Sequence, residues 1–133
     1  MEGVLTNEQQ PEHATIVRID NVRFGEDEYK DRVKIMCTEV VGEYAGTELA
    51  FWCNRKNVDG KLSPAMKLYA LLTAGHGKGW TSKFKDLDTA IKALRGKYVA
   101  ADSVKKDETK GGIGNNVKDG TIQAVPEDFE PAI

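Results

Sequence analysis

The 133-residue chain is 40% hydrophobic and 30% charged with a formal charge of -2, a balance that suits one soluble globular domain better than a disordered or membrane-spanning chain. The charge is unevenly spread. Residues 14–106 hold 17 Lys/Arg against 12 Asp/Glu, whereas residues 1–13 carry three acids and no base and residues 107–133 carry six acids against two bases, the distribution expected of a basic body that holds a polyanion between acidic ends.

Met1 to His13 is polar and acidic and lacks the basic and apolar parts of a secretory signal, so residues 1–13 are expected to be a disordered acidic N-terminal segment and the location cytoplasmic. The first strand runs from Ala14 to Phe24, where Ile16, Val17, Ile19, Val22 and Phe24 alternate imperfectly. Gly25 to Glu28 is a turn. From Arg32 to Val40 the alternation is cleaner, with Val33, Ile35 and Cys37 in one phase and Arg32, Lys34 and Met36 in the other. A second turn, Gly42 to Gly46, leads to Thr47–Asn54, which places Leu49, Phe51 and Cys53 opposite Glu48, Ala50, Trp52 and Asn54. Three consecutive antiparallel strands are the expected product.

The period then changes. Ser63-Pro64 combines an N-cap residue with proline at the first helical position, and a helix through Met66, Tyr69, Ala70 and Thr73 should stop at Gly75. A second helix is capped by Asp86 and closed by Gly96, which explains Asp86 and Asp88 as cap and dipole partners before any metal site is needed. A strand follows from Lys97 to Val104, then a polar connection from Asp107 to Asn116, and a last strand from Gly120 to Val125 that Pro126 ends. Cys37 and Cys53 form no CxxC pair, and His13 and His76 stand far apart with no cysteine spaced as a partner. Both thiols read as small core residues, and neither a metal nor a cofactor is expected.

Three strands, a helical segment, a fourth strand and a fifth make an OB-fold-like antiparallel barrel over residues 14–125, mainly β, with the helices inserted between strands 3 and 4. The alternative is an α+β sandwich with helices on one face. The segments GEYAGTELAFW, SPAMKLYALL and DLDTAIKALRGKYVAADSV resemble phage-encoded OB-fold proteins of the single-stranded-DNA-binding type. The resemblance is one of apolar positions and turns, and it implies a binder of single-stranded DNA, with RNA as the other candidate, in phage or mobile-element replication, recombination or repair in the host cytoplasm. Homo-oligomers are common among such proteins, and no surface in this sequence specifies one.

Two places carry chemistry suited to that function. Between the helices, the stretch from Gly75 to Lys85 holds Lys78, Lys83 and Lys85 with Trp80 and Phe84 and no acid; lysines neutralise phosphates while exposed rings stack on bases. The competing arrangement has Trp80 and Phe84 anchoring the loop to the core. On the outer phase of strands 2 and 3, Lys34 neighbours Trp52, with Arg55 and Lys56 exposed just beyond; a one-residue change of phase would bury Trp52 and expose Phe51 instead. Tyr29-Lys30-Asp31-Arg32 is a weaker candidate beside the acids Glu26 to Glu28, and Arg18 and Arg23 read as a solvated face.

Residues 126–133 read as a disordered acidic tail, in which Asp128, Phe129 and the terminal Ile133 loosely resemble the partner-binding tip of bacterial single-stranded-DNA-binding proteins. That resemblance implies replication or recombination proteins as further partners. Enzyme readings lack support: there is no GxxxxGK[ST], the glycines near His76 follow a helix, and Ser63 is a helix cap with no histidine beside it. The alternative function is a non-enzymatic protein-interaction or structural module on the same barrel.

Overall fold

The computed structural model describes residues 11–105 and 115–130. Strand β1 (His13–Phe24) is twelve residues long and serves two partners. Its second half pairs antiparallel with β2 (Arg32–Glu39), from Val17 opposite Glu39 to Phe24 opposite Val33. Its first half pairs with β4 (Tyr98–Lys105), from His13 opposite Ser103 to Arg18 opposite Tyr98. The imperfect alternation in the sequence is a β-bulge: Ile19 opposes Cys37, Asn21 opposes Met36, and Asp20 is the extra residue between them.

Strand β2 continues into β3 (Glu48–Asn54), and β4 pairs with β5 (Asn115–Val117), giving the order β3-β2-β1-β4-β5. The edge strands β3 and β5 lie against each other, so the sheet curls into a nearly closed five-stranded antiparallel barrel of OB-fold-like topology. The seam is closed by a side chain. Lys67 lays its ammonium 4.6 Å from the Phe51 ring centroid, donates to the Val117 carbonyl at 2.6 Å and pairs with Asp119 at 2.8 Å.

Helix α1 (Lys67–His76) buries Leu68, Leu71 and Leu72 against β3 and β4, and helix α2 (Leu87–Lys92) buries Ala90 and Ile91. The cap of α2 is the expected one, with Asp86 Oδ1 accepting from the Thr89 amide at 2.8 Å. Ser63 does not cap α1. Its hydroxyl accepts from the Ala65 amide and its carbonyl from the Met66 amide, so Ser63-Pro64 makes a separate turn and the helix starts three residues later than its sequence signal. At the other end α1 runs past Gly75 to His76 and stops at Gly77, whose φ of 97° only glycine adopts freely.

The last strand also differs from expectation. Strand β5 is Asn115–Val117, where Asn115 and Val117 are buried, and the Gly120–Val125 segment supplies only a bridge, Gln123 to Ala100. Val117 can fill the barrel at the seam, which the short apolar pattern around Ile122 concealed. Pro126 to Glu130, expected as free tail, carries a turn, and the Phe129 ring packs 5.5 Å from Tyr98. Ile133, with residues 1–10, lies outside the described residues.

Inside the barrel, Val17, Ile19, Val33, Ile35, Leu49 and Phe51 form the core with Cys37 and Cys53. Burial pushes the Cys37 thiol far up and the Cys53 thiol up to about 12, so both are unreactive packing groups. One charge is buried as well. Glu39 is 1% exposed, and its Oε1 accepts from His13 Nε2 at 2.7 Å while Oε2 has no partner among the described residues. His13 Nδ1 faces the Pro11 carbonyl at 2.7 Å and the ring packs on Tyr44. Both ring nitrogens therefore face acceptors, which only the imidazolium satisfies fully.

Burial alone would lower the His13 pKa, but the bonds to Pro11 and Glu39, with the charges of Glu39 and Glu43, raise it overall. A raised folded value stabilises the fold below the unfolded value of about 6.5, and the contribution fades as pH climbs through the folded value. Melting curves should show wild type ahead of His13→Gln at pH near 6, with the difference shrinking as the pH is raised above 7. A difference that grows with pH contradicts this assignment.

Candidate nucleic-acid interface

The outer face of the barrel is built by the residues that alternate away from the core. Strand β3 turns Phe51 inward, where it is 3% exposed, and Trp52 outward, where it is 46% exposed. The register then builds a row across three strands: Trp52 opposes Lys34, and Lys34 opposes Arg23. Arg23 reaches this face only because the bulge at Asp20 reverses the phase of β1. On one side of the row, Arg32 opposes Asn54; on the other, Asn21, Met36 and Ala50 lie in register. The row therefore presents one broad ring beside two cations, with a third cation one position along.

The β1–β2 turn adds a second ring. Tyr29 is 51% exposed, and the Arg32 guanidinium lies 5.6 Å from its centroid. Gly25 allows this turn, since a Cβ there would stand 2.1 Å from the Tyr29 carbonyl oxygen. In the sequence Tyr29 and Arg32 stand beside the acids Glu26 to Glu28 and Arg23 reads as a solvated residue, yet all three lie exposed on this side of the barrel. The signal that locates Arg23 is the broken alternation itself, since apolar Ile19 and Val22, three apart, cannot share one face of an unbulged strand.

The other predicted residues divide. Lys56 is exposed and pairs with Asp31 at 3.1 Å, a surface contact that a phosphate can replace. Arg55 is a correction: its amide donates to the Asp31 carbonyl, and its guanidinium bonds Asp88 and the Lys30 carbonyl and lies 5.1 Å from the centre of the Phe24 ring. Arg55 is thus a tie between the first hairpin and α2: two of its five guanidinium donors make these bonds, and its Nε is buried without a partner among the described residues.

The loop between the helices is a second correction. Trp80 is 6% exposed, its Nε1 donates to Thr73 Oγ1 at 3.1 Å, and Tyr69 meets it edge-on at 5.3 Å. A ring so enclosed offers no face to a base. Phe84 is half-buried on the His76 ring at 4.7 Å. Lys78, Lys83 and Lys85 are exposed, Lys83 donating to the His76 carbonyl at 3.1 Å. No hydrogen bond, ion pair or ring contact among the described residues joins this loop to the Trp52 row. Of the two tryptophans, only Trp52 on the strand face is exposed.

Phe129, docked on Tyr98, is not presented as a free tip, while Asp128 is exposed. Among the described residues no group of three or more His, Cys, Asp or Glu side chains could hold a metal ion, and no helix is long and apolar enough to cross a membrane. Compared with protein-family models, curated proteins and solved structures, the chain matches none of them.

The two tryptophans give the site a direct optical test. In a Trp80→Phe chain the remaining Trp52 should be readily quenched by acrylamide, and in a Trp52→Phe chain Trp80 should be shielded. Trp80→Ala should cost about 3–5 kcal/mol of stability, and Trp52→Ala less than about 1 kcal/mol. Equal quenching of the two single-tryptophan chains contradicts the placement.

Proposed function

We propose that this chain binds single-stranded nucleic acid, DNA foremost, along the outer face of β1, β2 and β3, without catalysis. The observation that carries the reading is the row Trp52–Lys34–Arg23, an exposed ring in register with two cations on the barrel face that OB-folds use for oligonucleotides. A base stacks on the indole at about 1–3 kcal/mol, and the flanking cations neutralise the phosphates on either side. Neither contact reads sequence, so binding is sequence-tolerant at this row.

The arrangement favours a flexible single strand over a duplex. A stacked duplex hides its base faces, and one isolated ring cannot reach them without unstacking. Arg32 and Tyr29 extend the row toward the first hairpin, where Lys30 and Lys56 are exposed. A setting in phage or mobile-element replication, recombination or repair, in the cytoplasm of a host cell, follows from the pattern-level resemblance alone.

Titration with oligothymidine should quench Trp52 fluorescence, with affinity falling steeply as salt rises. Lys34→Ala and Arg23→Ala should each lower the salt slope by about 0.7, the single-strand value per phosphate contact. A combined Lys78→Ala, Lys83→Ala and Lys85→Ala chain should keep the wild-type slope. If oligothymidine causes no quenching at low salt, the face serves a protein partner and the nucleic-acid reading fails.

A further inference from the structure

Beside Trp52 the surface dips into a cleft of about 390 Å³ at the barrel seam, lined by Trp52, Asn54, Met66, Lys67, Asn116 and Asp119. Its size falls within the range of small-ligand pockets, and its chemistry is unlike that of the row it adjoins. The only cation in it is Lys67, whose ammonium is already engaged by the Val117 carbonyl, Asp119 Oδ1 and the Phe51 ring. The Asp119 carboxylate is 87% exposed and keeps its second oxygen as an acceptor. The two formal charges cancel, so the cleft has no spare cation to neutralise a phosphate. A neutral polar group is what the cleft accommodates.

The donors and acceptors narrow the choice. Asn116 Oδ1 accepts from the Val117 amide at 2.6 Å, which leaves its NH2 to donate. Asn54 is exposed and makes no side-chain hydrogen bond among the described residues, so its amide offers both a donor and an acceptor. Asp119 can only accept. Trp52 and these three side chains line one cleft, so a base stacked on the indole can turn its polar edge toward them.

We propose that this cleft reads the edge of one nucleobase and selects a base carrying an exocyclic amino group over thymine; the proposal rests on the nucleic-acid reading above. An amino group gives the Asp119 carboxylate a donor, as cytosine N4 does for acidic side chains elsewhere, and the adjacent ring nitrogen or carbonyl accepts from an Asn amide. Thymine offers a single N3–H flanked by two carbonyl oxygens, so a carboxylate that meets the donor also meets an oxygen lone pair. The row Trp52–Lys34–Arg23 holds any strand, and the cleft adds preference at one position.

The test compares oligodeoxycytidine with oligodeoxythymidine of equal length on the full chain at pH 7.5, in wild type, Asp119→Asn and Asn116→Ala. Wild type should bind the cytidine oligomer about tenfold more tightly, the worth of one hydrogen bond to a charged group. Both variants should lose most of that preference while holding oligothymidine within about twofold of wild type, which also shows that they fold. Equal wild-type affinities, or a preference that survives in both variants, overturns the cleft and leaves the strand-face reading standing. Absence of binding to either oligomer overturns both.

Discussion

Strand β1 has to serve both halves of the barrel, and it does so through one extra residue, Asp20. Side chains alternate with a period of two, so a regular strand that buries Val17 and Ile19 would also bury Asn21 and Arg23 and expose Val22 and Phe24. The bulge reverses the phase between Ile19 and Asn21. Asp20 is held in place by Arg18 Nε at 2.7 Å and by the Thr38 hydroxyl of β2. From this local irregularity follow the turn of β1 from β4 toward β2, the partial burial of Val22 and Phe24 against the core, and the arrival of Arg23 beside Lys34 and Trp52.

The second constraint is the seam. Strands β3 and β5 meet without a hydrogen-bonded ladder between them among the described residues, and the Lys67 side chain occupies the junction, where its cation lies over the Phe51 ring while its protons go to Val117 and Asp119. A lysine in that place closes the barrel without adding a free positive charge to the surface. The cations therefore divide into two groups. Lys67 and Arg55 are spent on the fold, whereas Lys34, Arg23 and Arg32 stand on the outer face with their charges available to a ligand.

Much of this was legible in the residues. The clean alternation of Val33, Ile35 and Cys37 and of Leu49, Phe51 and Cys53 fixed the register that exposes Trp52, and the strand and helix order pointed to the barrel. What was not legible depended on long-range contacts. Trp80 sits in a basic, acid-free loop that looks like a binding segment, yet the ring is drawn inward by Tyr69 and Thr73, residues of α1 that the local pattern does not mark as its partners. Arg55 follows a strand end and reads as exposed, but Asp88 and Phe24, each more than thirty residues away in sequence, hold it. Strand β5 was misplaced because three residues with one apolar side chain give no periodic signal, and only the seam creates the space that Val117 fills.

The central claim is that the ligand face is the bulge-dependent row on β1, β2 and β3 and not the basic loop between the helices. The most direct measurement is amide chemical-shift mapping of the isotopically labelled chain during addition of oligothymidine. The largest shifts are expected at residues 21–23, 32–36 and 50–54, with residues 77–85 little changed. Shifts concentrated at 77–85, with the strand residues unmoved, would contradict it.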